Sequence, residues 1–185
     1  MATIITVTEA VELVQDGAVI GSAVQGMTGW PEEIGLAIEN RFMETGHPSG
    51  ITHIHGAGQG DFGRMSEDGK TCRGECALAH DGLLSCSIHG HVGCSFKVTK
   101  QIVDNKILAY NIPLGVVGQI WREMGRGFPG LLTKVGLGTF MDPRYDGAMI
   151  NEKTKKKGKK NVTKKQEHPG KKKKNKKKPK KKKKT

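Results

Sequence analysis

The strongest constraint on what this chain can fold into is a break in composition at residue 151. Residues 1–150 carry 11 Lys and Arg against 16 Asp and Glu, a net charge of −5. Residues 151–185 carry 20 Lys against Glu152 and Glu167, a net charge of +18. Together they account for the +13 of the 185-residue chain, so the basicity belongs to a tail and not to the body. From Lys155 to Thr185 there is no aromatic residue, and Val162 is the one aliphatic. Such a segment buries too little apolar surface to offset the entropy of ordering, and it is predicted to be disordered. The fold is therefore sought in residues 1–154, a length that supports one domain with one core.

Several classes fall away at once. No run of 18 apolar residues is present, so no membrane span is expected. Met1-Ala2-Thr3-Ile4-Ile5 lacks the basic and apolar regions of a secretory signal. Cys72, Cys76, Cys86 and Cys94 are too few for a disulfide scaffold, and a reduced cytoplasmic setting is expected. The body holds 24 of the 26 glycines, which points to tight turns or close backbone approaches.

Short strand-like and helix-like stretches alternate along the body. Thr8 to Gln15 reads as a helix stopped by Asp16-Gly17, and Ala18 to Ser22 as a short apolar strand. Pro31 opens a second helix. Its proline suits a helix start, Glu32 and Glu33 complement the positive end of the dipole, and Thr45-Gly46 end it. Ile51 to His55 is the next strand, and a glycine-rich segment follows from Gly56 to Gly74. Ala77 to Leu84, Ser87 to His89, Phe96 to Asp104 and Ile107 to Asn111 continue the alternation. Val116 to Met124 reads as a final helix and Gly136 to Phe140 as a last strand. Strands alternating with helices predict an α/β fold, a mostly parallel sheet flanked by helices.

The segment Asp16 to Pro31 joins a strand, a glycine loop and a helix start, an arrangement that aims free N–H groups into the loop. Gly21, Gly26 and Gly29 miss the dinucleotide-binding spacing, and on pattern alone the loop is equally a plain strand-to-helix turn. Asp16-Gly17 and Gly29-Trp30-Pro31 nevertheless resemble the N-terminal signature of the family I CoA-transferases. Ala23-Val24-Gln25 depart from it, standing where Gly-Gly-Phe is usual. Ala57-Gly58-Gln59-Gly60-Asp61 is similar to the family's loop after the second strand. Leu78 to Leu83, Gly90 to Gly93, Asn105 to Ile107, Ala109 to Pro113 and Lys134 to Arg144 follow in order, as in single-chain acetate and propionate CoA-transferases. The resemblance runs almost continuously over residues 3–154, with an insertion near Met65 to Cys72.

The resemblance implies the first part of an N-terminal domain and a ping-pong transfer of CoA between a short-chain acyl-CoA and a free carboxylate. Coenzyme A is then a substrate, and no resident cofactor is expected. The family's nucleophilic glutamate, in a Glu-x-Gly context, lies in a C-terminal half or partner subunit beyond the matched region. The body matches single-chain members better than one subunit of a two-chain 3-oxoacid transferase. The chain alone is expected to be inactive, and its residues expected at the site are Gln25 and Gly26 in the first loop with Gly58, Gln59 and Gly60 in the second. Their implied task is to hold the acyl carboxylate or the thioester oxygen. Glu44-Thr45-Gly46 reads as a helix end with a glycine cap, not as the nucleophile. A homo-oligomer fits the family.

Cys72, Cys76, His80, Cys86, His89, His91 and Cys94 crowd together but lack the paired short spacing of zinc modules, so no metal is expected. Of His53 and His55, one is expected to pack. Trp30 and Trp121 read as core or rim residues. The tail has three readings: a non-specific polyanion binder, an inert appendage, or the product of a shifted reading frame in A-rich coding DNA. The last fits its Lys, Asn, Thr, Gln and Glu composition best. A parallel sheet ending at this point is expected to leave an open edge.

Overall fold

The computed structural model describes residues 3–23, 28–60 and 73–158. Its first helix, α1 (Val7–Glu12), begins with a capping box. The Thr6 hydroxyl accepts from Glu9 N, and the Glu9 carboxylate accepts from Thr6 N at 2.7 Å. That reciprocal pair places the helix a residue earlier than its apolar pattern suggests, and it ends at Glu12. β1 (Val19–Ser22) follows, then α2 (Glu32–Thr45), capped at its end by Gly46 in the left-handed conformation, φ 75°. β2 (Ile51–Ala57), a 3₁₀ turn (Gly74–Leu78), β3 (Leu84–His91), α3 (Phe96–Val103), β4 (Leu108–Asn111) and α4 (Leu114–Gly125) complete the order.

The four strands lie in sequence order β1-β2-β3-β4 and every pairing is parallel. The predicted α/β architecture is thus observed. In register, Ser22 lies beside His55 and His55 beside His89, so Ser22, His55 and His89 share one face of the sheet. Ile51, two residue pairs back along β2, points to that same face.

On this face sits the apolar core: Val11, Ile38, Ile51, Leu78, Leu84 and Ile102 are all buried. α1 packs on α2, and both α2 and α3 pack on the 3₁₀ turn, making one layer. Glu32 ties the layer together, because its carboxylate accepts from Gly74 N at 3.0 Å. α4 covers the opposite face against β2 and β3. Its Leu114 lies so close that a Cβ on Gly56 or Gly90 would meet the Leu114 side chain at 3.1 or 2.8 Å, so glycine is what permits the contact.

After α4 the structure departs from the sequence pattern. Gly136 to Phe140 is not a strand but a run of turns, with Gly136 and Gly138 at φ 91° and 78°. Those left-handed positions cannot join a pleat. Asp142 organises the run: its buried carboxylate accepts from Gly138 N and Arg144 N and pairs with the Arg144 guanidinium. Arg144 first, then the two backbone donors, hold that carboxyl well below the usual carboxylate range.

Nor is the β4 edge simply open. Ile150 N donates to Ala109 O, Asn111 N donates to Ala148 O, and Ala109 N donates to the Thr154 hydroxyl at 2.7 Å. Asn151 donates to Ile102 O and Ile107 O and accepts from Thr154 N. It caps a helix over residues 152–158, which we term α5. Residues 155–158, placed in the disordered tail by composition, continue this helix because Asn151 and Thr154 anchor its start. The rest of the tail, residues 159–185, lies outside the described residues.

Candidate functional site

In a parallel sheet the ends of the strands collect the loops that bind ligands. Here Ser22 ends β1, His53 and His55 lie along β2, and Ser87 and His89 lie along β3, all of them buried. Gln25 and Gly26 of the predicted site lie outside the described residues. Gly58, Gln59 and Gly60 follow β2, and each is tightly packed. A Cβ on Gly58 would meet Cys94 and Ser95, and one on Gly60 would meet the backbone of Gly74 at 2.3 Å.

Gln59 is wholly buried and reaches across to β1. Its Oε1 accepts from the Ser22 hydroxyl at 2.5 Å, and its Nε2 donates to Ser22 O at 3.0 Å. Because that hydroxyl donates to Gln59, it accepts from His53 Nε2, 2.6 Å away. The His53 ring is therefore protonated on Nε2 and has its lone pair on Nδ1.

The imidazoles form a stack. His53 and His55 lie parallel with centroids 4.5 Å apart, and His89 is 5.5 Å beyond His55. Trp30 meets His53 edge-on at 5.9 Å. The Ser87 hydroxyl bridges His55 Nε2 at 3.2 Å and His89 Nδ1 at 2.8 Å. His55 Nδ1 faces Ala57 O at 2.9 Å. Burial pushes His53 well below the ordinary imidazole value, His55 down to about 4 and His89 down to about 3, so all three are neutral at pH 7.

Glu75, from the 3₁₀ turn, closes the cluster. Its side chain is fully buried, and Oε2 lies 3.3 Å from His55 Nδ1. Neither carboxyl oxygen completes a hydrogen bond among the described residues. Burial pushes this carboxyl up to about 8, against smaller opposing effects of the Ser95 hydroxyl and the backbone at Gln59. Nitrogen and oxygen atoms of His53, His55 and Glu75 all lie within 4.8 Å of one another.

Sequence reasoning placed His53 and His55 on one strand and expected one of them to pack; both are buried. It missed Glu75 altogether. A glutamate between Gly74 and Cys76 gives no sign of burial until the 3₁₀ turn is laid on the sheet. Glu44 sits exposed at the end of α2 before the Gly46 cap, as expected of a helix end. Beside the β1 loop, a cavity of about 460 Å³ is lined by Ile20, Ser22, Trp30, Ile34, Ile38 and Leu78.

Comparison with known proteins follows the same ground. Caffeate CoA-transferase of Acetobacterium woodii is 39% identical over 154 residues, 83% of this chain and 28% of the relative. Acetate CoA-transferase YdiF of Escherichia coli K12 is 35% identical over 119 residues, 64% of this chain and 21% of the relative. The crystal structure of acyl-CoA transferase YdiF from Escherichia coli O157:H7, a thioester complex with CoA, superposes with a TM-score of 0.69 at 31% identity. That superposition covers 81% of this chain and 28% of that one. The chain thus spans about a quarter of the length of the proteins it matches. Residues 4–174 match the family described as Coenzyme A transferase, a match that extends past Thr154 into the lysine-rich stretch. This chain belongs to the coenzyme A transferase family.

Proposed function

We propose that this chain forms the acyl-facing part of an enzyme that transfers CoA between a short-chain acyl-CoA, such as acetyl-CoA, and a free carboxylate such as propionate. The observation that carries the proposal is the colinear likeness to caffeate and acetate CoA-transferases over most of the chain. The chemistry is covalent catalysis by a carboxylate. A glutamate carboxylate attacks the thioester carbonyl and expels CoA as thiolate, leaving an acyl–glutamyl anhydride. The thiolate then attacks the glutamyl carbonyl, forming a glutamyl–CoA thioester and releasing the free acid. The second acid attacks that thioester, and the two steps run in reverse with the new acyl group. The glutamate of this scheme belongs to a region outside the stretch matched here, and the chain by itself is inactive.

In this reading Gln25, Gly26, Gly58, Gln59 and Gly60 border the oxygen of the reacting carbonyl. The contacts of Gln59 assign it a positioning role: its amide grips Ser22 and fixes the start of the β1 loop beside the β2 loop. The apolar cavity beside Trp30 offers walls for the carbon chain of the acyl group. Coenzyme A enters as substrate, and the partner is a C-terminal half, a second subunit or a further copy. A cytoplasmic enzyme fits; no helix among the described residues is long and apolar enough to cross a membrane.

The test begins at the gene. Translation of all three frames downstream of codon 145 should reveal a Glu-x-Gly motif in a family-like continuation, and that longer protein should exchange CoA between acetyl-CoA and propionate. Saturable exchange by the 185-residue chain alone would contradict the division of labour, and no exchange by the longer protein would contradict the function.

A second reading draws on the tail. Lys153, Lys156 and Lys157 of α5 line a groove of about 440 Å³ with Ser85 and Leu108, and more lysines follow. Binding to nucleic acid through this region would show affinity for random DNA that falls steeply with salt and disappears on removal of residues 155–185.

A further inference from the structure

We propose that Trp30, seated on Gly35, is the residue that sets how long an acyl chain the cavity beside β1 accepts. The inference rests on the CoA-transfer reading above, which supplies an acyl group as the occupant. The cavity runs from the end of β1 over the first two turns of α2 to the close of the 3₁₀ turn. Its volume, about 460 Å³, falls within the roughly 300–1,000 Å³ of small-molecule sites. A water-sized group takes roughly 30 Å³, so the space exceeds what the two carbons of an acetyl group fill.

The lining changes in character along its length. At the loop end it consists of Ser22, whose hydroxyl is already engaged by Gln59 and His53, and the chain at Gly29. Farther in, the walls are Ile20, Ile34, Ile38 and Leu78, the last two buried in the apolar core. A space that is polar at the loop and hydrocarbon at depth suits a molecule with a carboxylate or thioester head and an apolar tail.

Trp30 is the largest side chain of that lining, and its position is fixed from outside the cavity. A Cβ on Gly35 would meet indole Cζ2 at 2.9 Å and Nε1 at 3.0 Å, so glycine is what lets the ring lie against α2. A Cβ on Gly60 would meet indole Cδ1 at 3.3 Å, and His53 meets the ring edge-on at 5.9 Å. Held by α2, by the loop after β2 and by β2 itself, the ring turns its remaining side to the cavity. Its Nε1 is buried and completes no hydrogen bond among the described residues, so packing decides where the ring stands. A methyl group added at position 35 therefore displaces the ring toward the free space and shortens the cavity. Removal of the indole lengthens it.

The 185-residue chain, labelled with nitrogen-15, is titrated with sodium acetate and with sodium hexanoate at equal ionic strength, and its two indole N–H signals are followed by NMR. Trp30→Phe assigns them. Hexanoate should move the Trp30 signal saturably and leave that of Trp121, which lies on the opposite face against Gly21. Acetate at the same concentrations should move neither. One methylene in an apolar pocket counts for roughly 10–200-fold, so Gly35→Ala should weaken hexanoate binding by roughly tenfold or more. Should Gly35→Ala fail to fold, Ile34→Phe narrows the same wall from a partly exposed position and carries the same expectation. In the longer transferase, Trp30→Ala should raise the ratio of kcat/KM for octanoate over hexanoate, and Gly35→Ala should lower that for hexanoate over acetate, each by roughly tenfold or more. A Trp30 signal indifferent to hexanoate, acetate bound as tightly as hexanoate, or unchanged ratios in folded variants would overturn the proposal. Hexanoate bound at Trp30 with no exchange by the longer protein would support the cavity and contradict the CoA-transfer reading instead.

Discussion

Two kinds of interior lie a few residues apart on the same face of the sheet. At the start of β2 and β3, Ile51 and Leu84 sit in hydrocarbon with Val98 and Ile102. Toward the strand ends the same face turns to His53, His55, Ser87 and His89 under Glu75. Polar groups buried this way cost free energy unless each donor and acceptor is met. Ser22, Gln59 and Ser87 meet most of that demand, and the Glu75 carboxyl and His89 Nε2 are left over among the described residues. The contrast teaches where the chain is built for stability and where it gives stability up. The apolar end holds the domain together, while the polar end buries a network of imidazoles, hydroxyls and one carboxyl.

The comparison can be broken at either end. Ile51→Ala should have the largest effect, a loss of about 2–5 kcal/mol in urea unfolding, because it empties the middle of the closed core. Ser87→Ala should cost about 1–3 kcal/mol, since His55 and His89 both lose a hydrogen-bond partner while little volume is removed. If Ser87→Ala proves the more damaging of the two, the polar end is the real core and the division fails. Thr6→Ala, far from both ends, calibrates the scale. Loss of the capping box should cost roughly 1 kcal/mol, seen as a small shift of the urea midpoint with unchanged slope.

The sequence made much of this frame legible. Periodicity and punctuation placed the strands and α2 to within a few residues, since Pro31 and Gly46 act through local backbone geometry alone. The glycine loop after β2 was visible as a motif, but its packing was not: Gln59 turns inward to Ser22 because two loops meet at adjacent strand ends, which is a matter of topology. Gly136 to Phe140 misled, since an apolar alternation says nothing about the left-handed φ values that its glycines take. Composition drew the tail at residue 155, yet α5 runs on to residue 158, as one buried asparagine and one buried threonine outweigh the lysines beside them. Glu75 and the stack of three imidazoles needed the strand register before they could be seen together.

The most direct test of the contrast is the pH dependence of stability in the parent chain, compared with Glu75→Gln. Folded, the Glu75 carboxyl holds its proton up to about 8; unfolded, it loses it near 4.5. The folded state therefore binds more protons between those values, and its stability must fall as pH rises through that window. Glutamine stays neutral throughout. Urea midpoints measured from pH 5 to pH 8.5 should drop more steeply for the parent chain than for Glu75→Gln, leaving the variant the more stable of the two at pH 8.5. Parallel curves, or a variant weaker at every pH, would mean that Glu75 is already satisfied and that the polar end is no different in kind from the apolar one.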